Sequence, residues 1–114
     1  MQSHSWYNPD MSYKIVVYVP SENADAVREA IAEAGGGKLG KYTHCTFTTK
    51  GIGRFKPEEG AQPHIGQVGQ LESVEEERIE VTCEKEVVGD VIAAIWRVHP
   101  YEEIAMDVYE RTEW

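Results

Sequence analysis

A chain of 114 residues, 41% of them hydrophobic, makes one domain with room for one core and not two. A formal net charge of −9 argues against nucleic acid or an anionic membrane as its main partner. No run approaches the ~18 apolar residues of a membrane span, and no signal-peptide pattern opens the chain, so a cytoplasmic location is expected.

Two cysteines, Cys45 and Cys83, lie outside any CxxC pattern and read as reduced thiols. The charge is uneven. Residues 34–57 carry no acid, whereas Lys38, Lys41, Lys50, Arg54 and Lys56 fall there. Residues 58–86 reverse the balance, with nine acids against Arg78 and Lys85.

Residues 1–11 are polar and aperiodic and read as a flexible N-terminal extension, leaving 12–114 as the single domain. The β-branched and aromatic run 13–19, ended by Pro20, predicts a strand. Ile15, Val17 and Val19 would face one side, with Val16 and Tyr18 on the other. Ser21 suits an N-cap, and Glu22 and Asp25 complement a helix dipole. Ala24, Val27, Ile31 and Ala34 follow at helical spacing until Gly35-Gly36-Gly37 stops the helix.

Residues 42–49 predict a second strand, rich in Thr and aromatics. Residues 50–73 hold five glycines and two prolines, too long for a simple hairpin turn. They form a long functional loop or contain strands of their own. Residues 77–83 alternate Ile79, Val81 and Cys83 with polar positions, as a half-buried strand does. Residues 87–98 are helical in period and 104–109 alternate again.

The halves repeat. A shift of 64 residues carries Lys14-Ile15-x-Val17 onto Arg78-Ile79-x-Val81, and Val27, Ala30 and Ile31 onto Val91, Ala94 and Ile95. Two such βαβ halves imply an α+β, ferredoxin-like βαββαβ sandwich: a four-stranded antiparallel sheet with both helices on one face. The other face, with Val16 and Tyr18, would then be bare and apolar, and a homo-oligomer would cover it.

Three stretches carry chemistry. Gly35 to Gly40 satisfies G-x-G-x-x-G, but it closes a helix, whereas a dinucleotide fingerprint opens one. Residues 50–57 combine glycines with Lys50, Arg54 and Lys56, which suits either an anion site or a solvated loop balancing an acidic protein. The turn His99-Pro100-Tyr101-Glu102-Glu103 occupies the helix-to-strand position that glycines serve in the first half. Geometry alone would be met by glycine, so the polar choice marks a candidate site. His44, His64, His99 and Glu102 are metal-ligand types, though in no compact spacing signature. No nucleophile with an adjacent base is visible, so no catalytic residue is assigned; a small hydrolase using Glu102 or Glu103 ranks last.

These residues also carry a family resemblance. Gly51-x-Gly53-x-Phe55-x-Pro57, Pro63-x-Ile65-Gly66-x-x-Gly69, Glu76-x-Arg78-Ile79-Glu80 and the 99–103 turn, with the 13–20 and 35–45 segments, cover residues 12–111. Together they resemble the PII/CutA-like module inserted in the bacterial Nif-three-like family, the GTP cyclohydrolase I type 2 homologues, which also occurs as a stand-alone chain. The 99–102 turn is similar to the helix-to-strand turn of CutA proteins. The resemblance implies a trimer. It implies no enzyme, because the family's two-metal site lies in the domain flanking the insert.

The expectation is therefore a non-enzymatic binding or sensing module without a required cofactor. Its cleft would lie between residues 50–66 and the 99–103 turn, with Lys50, Arg54, Lys56, His64, His99, Tyr101, Glu102 and Glu103 as ligand-binding candidates. The ligand would be an anion or nucleotide by resemblance to PII, or a divalent metal by resemblance to CutA. An alternative is a protein–protein interaction or regulatory module.

Overall fold

The computed structural model describes residues 11–112, so the expected extension falls almost wholly outside the described residues. The elements run β1 (Ser12–Pro20), a 3-10 turn (Ser21–Asn23), α1 (Ala24–Glu33), β2 (Phe47–Phe55), β3 (Glu72–Glu84), α2 (Val88–Val98) and β4 (Met106–Arg111). The strands form one sheet in the order β2-β3-β1-β4, antiparallel throughout. This is the ferredoxin-like arrangement expected from the repeat.

Alternation places Ile15, Val17 and Val19 of β1 beside Ile79, Val81 and Cys83 of β3 on the face the helices cover. Val27 and Ile31 of α1, with Val91 and Ile95 of α2, complete the core. Each buried isoleucine or valine contributes roughly 1.5–3 kcal/mol. Gly36 is needed by close approach: a Cβ there would meet Ile31 Cγ2 at 2.9 Å and Cys83 Sγ at 3.1 Å.

Several boundaries differ from expectation for identifiable reasons. Ser21 does not cap α1; a 3-10 turn intervenes and no side-chain cap bond forms. The strand expected over 42–49 starts only at Phe47. Residues 37–46 instead fold back, with Gly37 N–H donating to Thr82 O, Cys45 N–H donating to Gly37 O, and Leu39 and Tyr42 exchanging hydrogen bonds. β2 then runs through Gly51 and Gly53 to Phe55, and β3 begins at Glu72 rather than residue 77. Ladder pairing overrides the weak β propensity of Gly and Glu, since Lys50 opposes Glu77 and Gly51 opposes Glu76. The last strand is shifted to Met106–Arg111.

The pairing of β1 with β3 ends at Pro20 and Glu76, so the β2–β3 hairpin projects past the sheet as an arm. The Cα radius of gyration is 16.2 Å, against about 13 Å for a compact 100-residue domain.

The face away from the helices is less apolar than expected. Val16 is 1% exposed and Tyr18 half-buried. Around them Lys14 pairs with Glu80 at 3.2 Å, Arg78 with Glu80 at 3.4 Å, and the Arg78 guanidinium lies 5.9 Å from the Tyr18 ring centroid. No helix among the described residues is long and apolar enough to cross a membrane.

Candidate functional site

Pro100 disfavours helical dihedrals at the residue before it, and His99 accordingly leaves α2 in an extended conformation (φ −71°, ψ 134°). The turn folds inward instead of out to solvent. His99 is 6% exposed, its Nε2 2.7 Å from Tyr18 O and its Nδ1 3.1 Å from Tyr101 N. A backbone N–H can only donate and a carbonyl can only accept, so Nδ1 is the acceptor and Nε2 carries the proton. This neutral tautomer is reinforced by burial, which pushes the imidazole pKa below its ordinary value against the opposing pull of the Tyr18 carbonyl and Glu76.

With its amide held by His99, Tyr101 projects toward the arm. Its hydroxyl donates to Glu76 Oε2 at 3.1 Å, and its ring meets Phe55 edge-on at 5.8 Å. His64 lies 6.4 Å from the same ring. Burial raises the phenol pKa well above its usual value, helped by the charge and hydrogen bond of Glu76. Glu76 reaches this position because Gly53 has no side chain: a Cβ there would land on the Glu76 carboxylate.

Residues 56–71 close the site from the third side. Gly69 N–H donates to Pro57 O at 2.8 Å, and Gln62 N–H donates to Glu102 Oε2 at 2.8 Å, tying the connection to the turn. The result is a cleft of about 430 Å³ at the Pro20 end of the sheet, on the face away from the helices. Tyr18, Phe55 and Tyr101 provide aromatic walls, with Pro57, Pro63 and Ile65 beside them. Arg54, Lys56 and His64 contribute the basic lining, and Glu58, Glu76, Glu102 and Glu103 the acidic one.

The structure thus brings together six of the residues singled out from sequence: Arg54, Lys56, His64, Tyr101, Glu102 and Glu103. It leaves out three. Lys50 opposes Glu77 on β2 and does not line the cleft. His99 stands behind the wall with both ring nitrogens engaged by backbone, so it positions Tyr101 and has no lone pair for a metal. His44 sits elsewhere, beside Thr43 Oγ1 and 3.6 Å from Glu29. Tyr18 and Glu76 were missed as site residues. Glycines alternating on one face of a strand, Gly51 and Gly53 before Phe55, signal a close approach that could have pointed to Glu76.

No Ser, Thr or Cys lines the cleft. Among the described residues no three His, Cys, Asp or Glu side chains gather as metal ligands would. Its carboxylates are partly committed, Glu76 to Tyr101 and Glu102 to the Gln62 amide. Arg54 and Lys56 make no ion pair among the described residues.

No family model matches the chain. The "GTP cyclohydrolase 1 type 2 homolog" of Bacillus subtilis is 51% identical over 96 residues, 84% of this chain and 26% of that protein. The protein of the same name from Mycobacterium tuberculosis is 47% identical over 96 residues, 84% of this chain and 25% of its own length. The chain therefore spans about a quarter of the length of the curated relatives it matches. Among solved structures, the Bacillus cereus protein related to NIF3 superposes with a TM-score of 0.79 at 43% identity, over 94% of this chain and 27% of that one. The fold is shared more widely. The GlnK–ATP complex of B. subtilis gives a TM-score of 0.59 at 17% identity, over 90% of this chain and 83% of its own. CutA of Archaeoglobus fulgidus gives 0.63 at 18%, over 91% and 87%. The chain is thus a PII/CutA-like, ferredoxin-like module homologous to one segment of the GTP cyclohydrolase 1 type 2 homologues.

Proposed function

We propose that this module is a non-enzymatic, cytoplasmic sensor that binds a small anionic molecule bearing a ring, a nucleotide by chemical class, in the cleft between the arm and the 99–103 turn. The observation that carries this reading is the division of charge there. Glu76 and Glu102 are occupied by Tyr101 and Gln62, while Arg54 and Lys56, also on the cleft lining, make no ion pair among the described residues. Unpaired cations favour phosphate or carboxylate, and the faces of Phe55 and Tyr101 favour a planar ring. The fold shared with GlnK, solved with ATP, supports the same class of ligand.

A divalent metal, the ligand class suggested by CutA, has less support because no three ligand side chains converge among the described residues. Phe47 of β2, 68% exposed, opposes Glu80 on the sheet face away from the helices, and an apolar side chain left open there supports a homo-oligomer, by resemblance a trimer. The same surface would serve a protein partner if the module regulates one.

Calorimetric titration with ATP, and separately with zinc or copper, tests the ligand class. Saturable ATP binding without metal binding is expected. Metal binding alone would reverse the choice, and binding of neither by a folded protein would remove both. Light scattering at micromolar concentration tests the oligomer, and a monomeric mass would end that part of the reading.

A further inference from the structure

One direct hydrogen bond ties the connection after β2 to the turn before β4: the Gln62 N–H donates to Glu102 Oε2 at 2.8 Å. Both residues are exposed, and the bond itself faces solvent. Ala61 and Pro63, on either side of Gln62, line the cleft along with Arg54 and Lys56. A free backbone N–H can bind an anion, and this one, on the connection that borders a cleft lined by Arg54 and Lys56, already holds an anion that belongs to the chain.

We infer that the Gln62 amide, with Arg54 and Lys56, is the anion-binding point of the cleft, and that the Glu102 carboxylate is its resident occupant, displaced by the phosphate or carboxylate of an incoming ligand. The inference rests on the cleft reading above and adds a subsite and a competitor to it. The first half of the fold makes the equivalent helix-to-strand turn with glycines, so closing the chain does not require an acid at 102. An exposed charge-assisted bond keeps the amide occupied most of the time without holding it firmly. The ligand's apparent affinity falls by the fraction of time the amide is free, so removing the occupant tightens binding by about three- to tenfold.

The experiment is a calorimetric titration of the wild type, Glu102→Ala and Glu59→Ala with ATP, inorganic phosphate and citrate, alongside amide hydrogen exchange at Gln62. Glu59, exposed on the same connection and outside the cleft lining, is a nearby charge whose removal leaves the Gln62 amide untouched, and so isolates occupancy from simple electrostatics. Glu102→Ala should bind at least one of these anions about three- to tenfold tighter, with faster exchange at Gln62. Glu59→Ala should change affinity by less than about twofold and leave that exchange unaltered. The citrate arm separates carboxylate from phosphate recognition. A folded Glu102→Ala that binds no tighter than wild type, or whose Gln62 exchange is unchanged, overturns the inference while leaving the cleft reading standing. Failure of all three anions to bind any variant overturns both.

Discussion

Replacing His99 by Ala is the most informative stability perturbation this fold offers. The imidazole makes two hydrogen bonds in a buried position, donating to Tyr18 O at 2.7 Å and accepting from Tyr101 N at 3.1 Å. Each is worth on the order of 1 kcal/mol, and the truncation leaves a carbonyl and an amide with weakened solvation. Adding roughly 1 kcal/mol for lost packing gives a cost of about 3 kcal/mol. In a domain of this size that lowers the melting temperature by about 12–20 °C. Thermal unfolding followed by circular dichroism at pH 7.5 measures it directly. The same histidine sets a pH dependence. Because its folded pKa is depressed by burial, the unfolded chain takes up a proton that the native state refuses. Stability from this group is complete above the unfolded value near 6.5 and erodes as pH falls below it. Wild type should therefore lose stability between pH 7 and 5.5 by more than His99→Asn does, since asparagine cannot titrate. A loss under about 1 kcal/mol for His99→Ala, or parallel pH profiles for wild type and His99→Asn, would rule out this role for His99.

Other consequences follow from the packing. Gly36→Ala forces a methyl against Ile31, Cys83 and Val91 inside the core and should cost about 1–3 kcal/mol in denaturant titrations. Arg28→Ala strands Glu77, whose side chain is 8% exposed and 2.8 Å from the guanidinium; a loss of about 2–4 kcal/mol is expected, recovered in part by Arg28→Ala/Glu77→Gln. Burial raises the Cys83 thiol to about 11, so iodoacetamide at pH 8 should leave Cys83 unmodified until the protein unfolds, as peptide mapping would show.

Much of the architecture was legible because periodicity survives in the strands and helices that form the core. Ile15, Val17, Ile79 and Val81 alternate, Val27, Ile31, Val91 and Ile95 follow the helical period, and the structure uses all of them in one core. The arm was not legible. Its register depends on pairing between Lys50 and Glu77 and between Phe55 and Glu72, and no local preference marks Gly51, Gly53 or Glu75 as strand residues. The Thr- and aromatic-rich stretch 42–49 looked more strand-like, yet backbone bonds from Gly37 to Cys45 hold most of it in a turn. The candidate site divides in the same way. Tyr101 and Glu102 stood out because they replace glycines at an equivalent turn. Tyr18 and Glu76 join them only through sheet register, and His99 leaves the cleft only through tertiary burial. Neither effect has a signature within a few residues of chain.

On the proposed reading, Arg54 and Lys56 at an aromatic cleft make this module a receptor for a nucleotide-like anion. Titrating wild type and Arg54→Ala/Lys56→Ala with ATP tests it most directly. Both side chains are exposed, so the double variant should keep the wild-type melting temperature within a few degrees. Saturable binding to wild type is expected, with affinity at least tenfold weaker in the variant. Equal ATP affinity in the two proteins, or no ATP binding by the folded wild type, would contradict it.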